Sequence, residues 1–162
     1  MRTLDDMESV ARLFNTPRFD IYFLGGAACV LGEYSTSATH DFDFIDLNYG
    51  ADMGRVFAIL RDYDMLEYES TILAPDYKSR AKKLNKYRAF NAYVLGPEDI
   101  VVSKIIRMDK KDIQDIDEII GGCDKGVINA IIEKVMKRED LYESKKQGFL
   151  LNMQKFRGLY RV

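Results

Sequence analysis

Residues 41–46 read Asp-Phe-Asp-Phe-Ile-Asp, and this alternation constrains the fold more than any other stretch of the chain. A period of two marks a strand with two unlike faces. Phe42 and Phe44 share the face that belongs in a core. Asp41 and Asp43 share the other face, about 6.5–7 Å apart along the strand. Asp is disfavoured in strands, and like charges on one face repel. The acidic face therefore belongs either to a strand end open to water or to half of a metal site. Asp46 falls on the Phe face and stands outside the pair.

The surrounding pattern is α+β. Thr3, Asp5 and Asp6 open a helix whose apolar stripe is Met7, Val10, Leu13 and Phe14, with Pro17 beyond its end. Residues 19–26 form a short apolar strand closed by Gly25 and Gly26, and 27–34 a short helix. The spacing of Met53, Val56, Phe57 and Leu60 predicts a helix over 51–63. Strand character returns at 65–70 and 71–74, and strongly at 89–96. Residues 75–88 read as a polar, basic loop with a strand edge. Pro97, Glu98 and Asp99 start a helix, followed by helices over 110–122, 125–139 and about 144–160. This order predicts one domain over 1–162: a small mixed sheet flanked by helices over 1–96, and a helical part over 97–162.

The bulk properties exclude several classes. The chain has 162 residues, 47% apolar and 31% charged, with net charge −2. It therefore carries no global field toward nucleic acid or membrane. No apolar run approaches the roughly 20 residues of a membrane span, and the acidic, amphipathic N-terminus is unlike a signal peptide. Cys29 and Cys123 are far apart, and His40 is the one histidine. A zinc site lacks ligands, and reduced thiols fit a cytoplasmic protein.

Two hard oxygen ligands on a rigid strand suit Mg²⁺ (or Mn²⁺), which completes its sphere with water and phosphate oxygens. A strand running into Gly25-Gly26 and then a helix offers backbone N–H groups where phosphate can approach. A calcium loop fails, because the sixth position lacks glycine. A phosphatase with Asp41 as nucleophile would have an apolar strand before it, whereas "STSATH" precedes it here.

The blocks "FLGGAA" and "THDFDFID" resemble the nucleotidyltransferase superfamily that includes DNA polymerase beta. With "YVLGPEDIVVSK" (93–104) and "RMDKKDIQDI" (107–116), the chain looks like small uncharacterised bacterial members and abortive-infection nucleotidyltransferase toxins. The resemblance covers residues 19–116 and implies a minimal nucleotidyltransferase fold. It implies that Gly25 and Gly26 cradle a triphosphate and that Asp41 and Asp43 hold the metal. Lys104 would approach a phosphate or a carboxylate, and Asp112 and Asp115 would lie near the cleft, orienting Lys104 or a base. It further implies a nucleoside triphosphate substrate, a tRNA, protein or small-molecule acceptor, and a toxin or phage-defence role with an antitoxin partner. The chain departs from the family pattern at Ala27 and Ser37. It also departs at the third carboxylate, where Asn91 occupies the corresponding stretch and Glu67 or Glu69 are the substitutes at hand. A catalytically degenerate binding module is the alternative.

Lys104, Arg107 and Lys111 would share a basic face if one helix ran through them. Lys78, Arg80, Lys82, Lys83, Lys86 and Arg88 form the strongest basic stretch. With Tyr77 and Tyr87 to stack on bases it could bind RNA or a triphosphate tail; an exposed edge strand guarded by lysines is the alternative. Phe149, Met153, Phe156 and Tyr160 form a helix stripe for the core or a homodimer contact.

Overall fold

The computed structural model describes residues 2–36, 41–60 and 62–162. In chain order the elements are α1 (Arg2–Leu13), β1 (Asp20–Leu24), α2 (Gly25–Leu31), β2 (Phe42–Ile45), α3 (Gly54–Phe57), β3 (Tyr63–Leu66), α4 (Tyr77–Arg80), β4 (Lys82–Leu84), β5 (Asn91–Val94), α5 (Pro97–Lys104), α6 (Lys110–Ile119), α7 (Lys125–Met136) and α8 (Glu143–Tyr160). The result is the α+β fold expected, a mixed sheet with a helical second half.

The sheet has five strands in the order β3-β2-β1-β5-β4. β1 runs antiparallel to β2 and parallel to β5. β2 and β3 are parallel, and β4 and β5 antiparallel. β1 lies at the centre because its residues can be covered on both faces: Ile21, Tyr22, Phe23 and Leu24 are all buried. Phe44 of β2 is fully buried against Phe23 and Phe57, so the aromatic face of the alternating strand does enter the core.

Helix starts follow local chemistry. Pro97 occupies the first turn of α5 with Glu98 and Asp99 beside it. The side chains of Asp109 and Asp124 cap α6 and α7, accepting from the backbone N–H groups of Asp112 and Val127. In α8, Phe149 and Phe156 are buried and Met153 packs against the core, so the aromatic stripe serves packing within the chain. Among the described residues no helix is long and apolar enough to cross a membrane.

Several elements differ from expectation. Residues 51–63 do not form one helix. A 3₁₀ turn at Ala51–Met53 passes into the single turn of α3 at Gly54, and β3 already begins at Tyr63. Glycine at that junction weakens helix continuation. Lys104, Arg107 and Lys111 are not on one helix either. α5 ends at Lys104, Met108 takes a left-handed φ of 47°, and Asp109 caps a new helix. In the basic stretch Tyr77 and Tyr87 are buried, so their rings pack in the core and offer no face to a base. Arg80 is bound to buried Asp99, and Lys86 to Asp5. Lys82 and Lys83 occupy β4, the outer strand on the side away from β2 and β3, where lysines blunt an exposed edge. Burial pushes the thiols of Cys29 and Cys123 up to about 11, which leaves them protonated at neutral pH.

Candidate active site

The centre of the site is the seam between β1, β2 and β3. Leu24, the last residue of β1, is the register partner of Asp43. The chain then turns into α2 through Gly25, whose φ is +64°. A Cβ there would fall 2.5 Å from Asp43 Oδ2. Glycine is required twice over: by the left-handed backbone and by the carboxylate pressed against it.

On its other side Asp43 is the parallel register partner of Asp64. Partners in a ladder project to the same face, with backbones about 4.8 Å apart. The sequence reading does not single out Asp64, yet the fold sets it beside Asp43, and Asp41 immediately precedes the strand that carries Asp43. Burial holds the Asp43 carboxyl above its ordinary value. The negative charges of Asp64 and then Asp41 add to the effect, while Lys104 and Lys111 partly offset it. A half-buried carboxylate crowded by two others is a place where a cation lowers the energy. Among the described residues, however, no three such groups are already drawn into a tight metal cage.

These three acids, Gly25 and Gly26 line one side of a cleft of about 810 Å³, within the size range of small-molecule sites. The other side is built by the helical half: Lys104 and Ser103 of α5, Arg107, Lys111, Asp112 and Asp115 of α6 and its lead-in, and Ser144, Lys145 and Gly148 of α8. The segment Ser70–Ile72 forms a third wall. Lys104 Nζ lies 2.7 Å from Asp115 Oδ2 and 3.5 Å from Asp112 Oδ1. Arg107 grips Asp112 with both arms of its guanidinium, at 2.7 and 2.9 Å. Lys104, Asp112 and Asp115 are each more than nine-tenths buried. The PEDI-SK and KD-x-x-D blocks thus converge in one charge-balanced knot at the cleft floor. Lys111 and Lys145 line the cleft without an ion pair among the described residues.

The candidates for a third carboxylate read from sequence lie elsewhere. Asn91 pairs with Asp20 at the opposite end of β1 from Gly25, about 13 Å along the strand. Its side-chain oxygen accepts from Arg18 and its amide donates to Asp20. Glu67 accepts from the Tyr142 hydroxyl, and neither Glu67 nor Glu69 lines the cleft. Ser37 and His40 fall outside the described residues. The signal for Asp64 was its place in "DYDML", where Tyr63 and Met65 alternate with Asp62 and Asp64 much as the phenylalanines do over 41–44, on a strand that is largely exposed.

A family model described as "Nucleotidyltransferase of unknown function (DUF6036)" matches residues 2–160. No curated protein and no solved structure gives a significant match.

Proposed function

The chain belongs to this nucleotidyltransferase family, and from that premise we propose that it moves a nucleoside monophosphate from a nucleoside triphosphate to an acceptor hydroxyl. The observation that carries the reading is the pairing of Asp43 with Asp64 beside Gly25 at the head of the cleft.

Asp43 and Asp64, with Asp41 beside them, would hold Mg²⁺ or Mn²⁺. Their hard oxygen donors, with Asp43 raised by burial and then by the charges of Asp64 and Asp41, fit a divalent ion. Such an ion, when bound, screens the triphosphate and organises an in-line displacement. Gly25 leaves room for the substrate to approach the carboxylates, since a side chain there would fill that space. Lys111 and Lys145 face the cleft with charge to offset the triphosphate. The acceptor oxygen attacks the α-phosphorus, the bond to the bridging oxygen breaks, and pyrophosphate leaves. Asp64 is exposed and lines the cleft, and it would be the carboxylate to take the acceptor's proton. Lys104 and Asp112 act as positioning residues, because their charges are spent on Asp115 and Arg107. They fix α6, and Lys111 on it, against the sheet. The acceptor is a tRNA end, a protein hydroxyl or a small molecule, in keeping with a toxin or phage-defence component.

The test is incubation with Mg²⁺, each α-labelled nucleoside triphosphate, and bulk tRNA or protein. Label transfer or pyrophosphate release that disappears in Asp43→Asn and Asp64→Asn is the expected result. Triphosphate binding without turnover on any acceptor would reduce the protein to a degenerate binding module. Transfer that survives both substitutions would overturn the assignment.

A further inference from the structure

Arg138 lies just past the end of α7 and outside every block that marks the site in the sequence. Its side chain is 2% exposed. All five N–H donors of its guanidinium are used. Nη1 donates to the carbonyls of Thr71 at 2.7 Å and Leu73 at 3.0 Å. Nη2 donates to the Tyr68 carbonyl at 3.0 Å and to Asp140 Oδ2 at 3.1 Å. Nε donates to Asp140 Oδ1 at 3.0 Å. The group also sits 3.8 Å from the centre of the Tyr68 ring.

Three of those acceptors belong to one segment, whose residues Thr71 to Ala74 are buried in the core but whose backbone the sheet does not hold. Between β3 and α4, residues 67–74 make no ladder with the sheet and contain a single 3₁₀ turn at Tyr68–Ser70. The same segment supplies Ser70, Thr71 and Ile72 to the cleft wall and follows directly on the strand that carries Asp64. Tyr142 adds a second attachment: its backbone N–H donates to the Glu69 carbonyl at 3.0 Å and its hydroxyl to Glu67 at 2.7 Å. Two and three residues further on, Ser144 and Lys145 line the cleft themselves.

We infer that Arg138 is a positioning residue for the nucleotide cleft, clamping the 70–72 wall and setting it in register with Lys145. This rests on the nucleotidyl-transfer reading of the cleft. A buried arginine that satisfied only its own helix end would not need three carbonyls from one distant loop. Lysine cannot replace it, since an ammonium has three donors and no planar fork.

The experiment uses the full chain, with Arg138→Lys and Tyr142→Phe as variants. One readout is amide hydrogen exchange over 67–73. The other is binding of a nonhydrolysable nucleoside triphosphate with Mg²⁺. Arg138→Lys should speed exchange in 67–73 while α7 stays protected, and weaken triphosphate binding about tenfold, the scale of a displaced positioning contact. Tyr142→Phe, which removes one exposed hydrogen bond, should move both readouts the same way by less. In turnover the loss should appear in KM more than in kcat. Unchanged binding with a loosened wall would overturn the inference while leaving the transfer reading intact. Exchange that rises throughout the sheet and α7 would overturn it too, marking Arg138 as general support for the fold. Failure of the wild-type protein to bind any triphosphate would sink the transfer reading itself.

Discussion

Two groups of acids face each other across the cleft, and their surroundings are opposite. On α6, Asp112 and Asp115 are buried against Arg107 and Lys104, so each negative charge meets a donor within hydrogen-bond reach. On the sheet, Asp43 meets Asp64 and Asp41, and its carboxyl is pushed up. The first group is internally neutral, so what it supplies is geometry. The second keeps Asp43 raised although Lys104 and Lys111 partly offset its neighbours, so what it offers is a place for a cation. The difference lets architecture be told from chemistry among acids that share one cleft.

Substitutions can break or sharpen this contrast. The largest effect belongs to the sheet acids. Asp43→Asn or Asp64→Asn should cut nucleotidyl transfer by about 10³-fold, measured as pyrophosphate release, with the thermal melt retained. Next comes the balanced knot. Lys104→Met strands Asp115 in a buried site and should cost about 3–5 kcal/mol of stability in urea titration, because one partner of a buried pair is lost. A sheet acid that proved as costly to neutralise as Lys104 would erase the distinction between the groups. Gly25→Ala should cost about 1–2 kcal/mol from the left-handed φ alone and weaken divalent-ion binding as the new Cβ displaces the Asp43 carboxylate.

A smaller effect is set by pH. Asp43 is raised above 3.8 in the folded protein, so there the native state holds a proton that the unfolded chain has already lost. Without divalent ions, its contribution to stability therefore falls as pH rises through the window above 3.8. Asp43→Asn should flatten that slope in melts across pH. Divalent-ion affinity should run the other way, rising with pH over the same window as the proton leaves. The smallest effect is at the far edge: Lys83→Ser on β4 should shift stability by no more than about 0.5 kcal/mol and leave triphosphate binding unchanged.

Much of the site's polypeptide was legible because it is local. The Gly-Gly after an apolar run, the Asp-Phe alternation and the Pro97 helix start each declare themselves within a few residues. Asp64 did not. Strand β3 is short and exposed along most of its length, so the brief alternation of Tyr63 and Met65 with Asp62 and Asp64 marks no buried face. Its value comes from the register with β2, a contact between elements separated by α3. The stretch 65–70 was read as strand, which begins two residues late and leaves Asp64 outside. Asn91 misled for the complementary reason. β5 is a clear strand in the sequence, but it pairs with the opposite side of β1 and puts Asn91 at the wrong end. The grip of Arg138 on residues 68–73 was equally invisible, since hydrogen bonds to backbone carbonyls depend on the fold and leave no pattern in residue type.

The most direct measurement is a Mn²⁺ titration followed by electron paramagnetic resonance, with a nonhydrolysable nucleoside triphosphate present. It should be run on the wild type, on Asp43→Asn/Asp64→Asn, and on the α6 variant Asp112→Asn as a control. The predicted result is protein-bound Mn²⁺ that depends on the triphosphate, is lost in the sheet double variant, and survives in the control if the variant remains folded. Equal Mn²⁺ binding by the wild type and the sheet double variant would contradict the assignment of the metal to the β2–β3 acids.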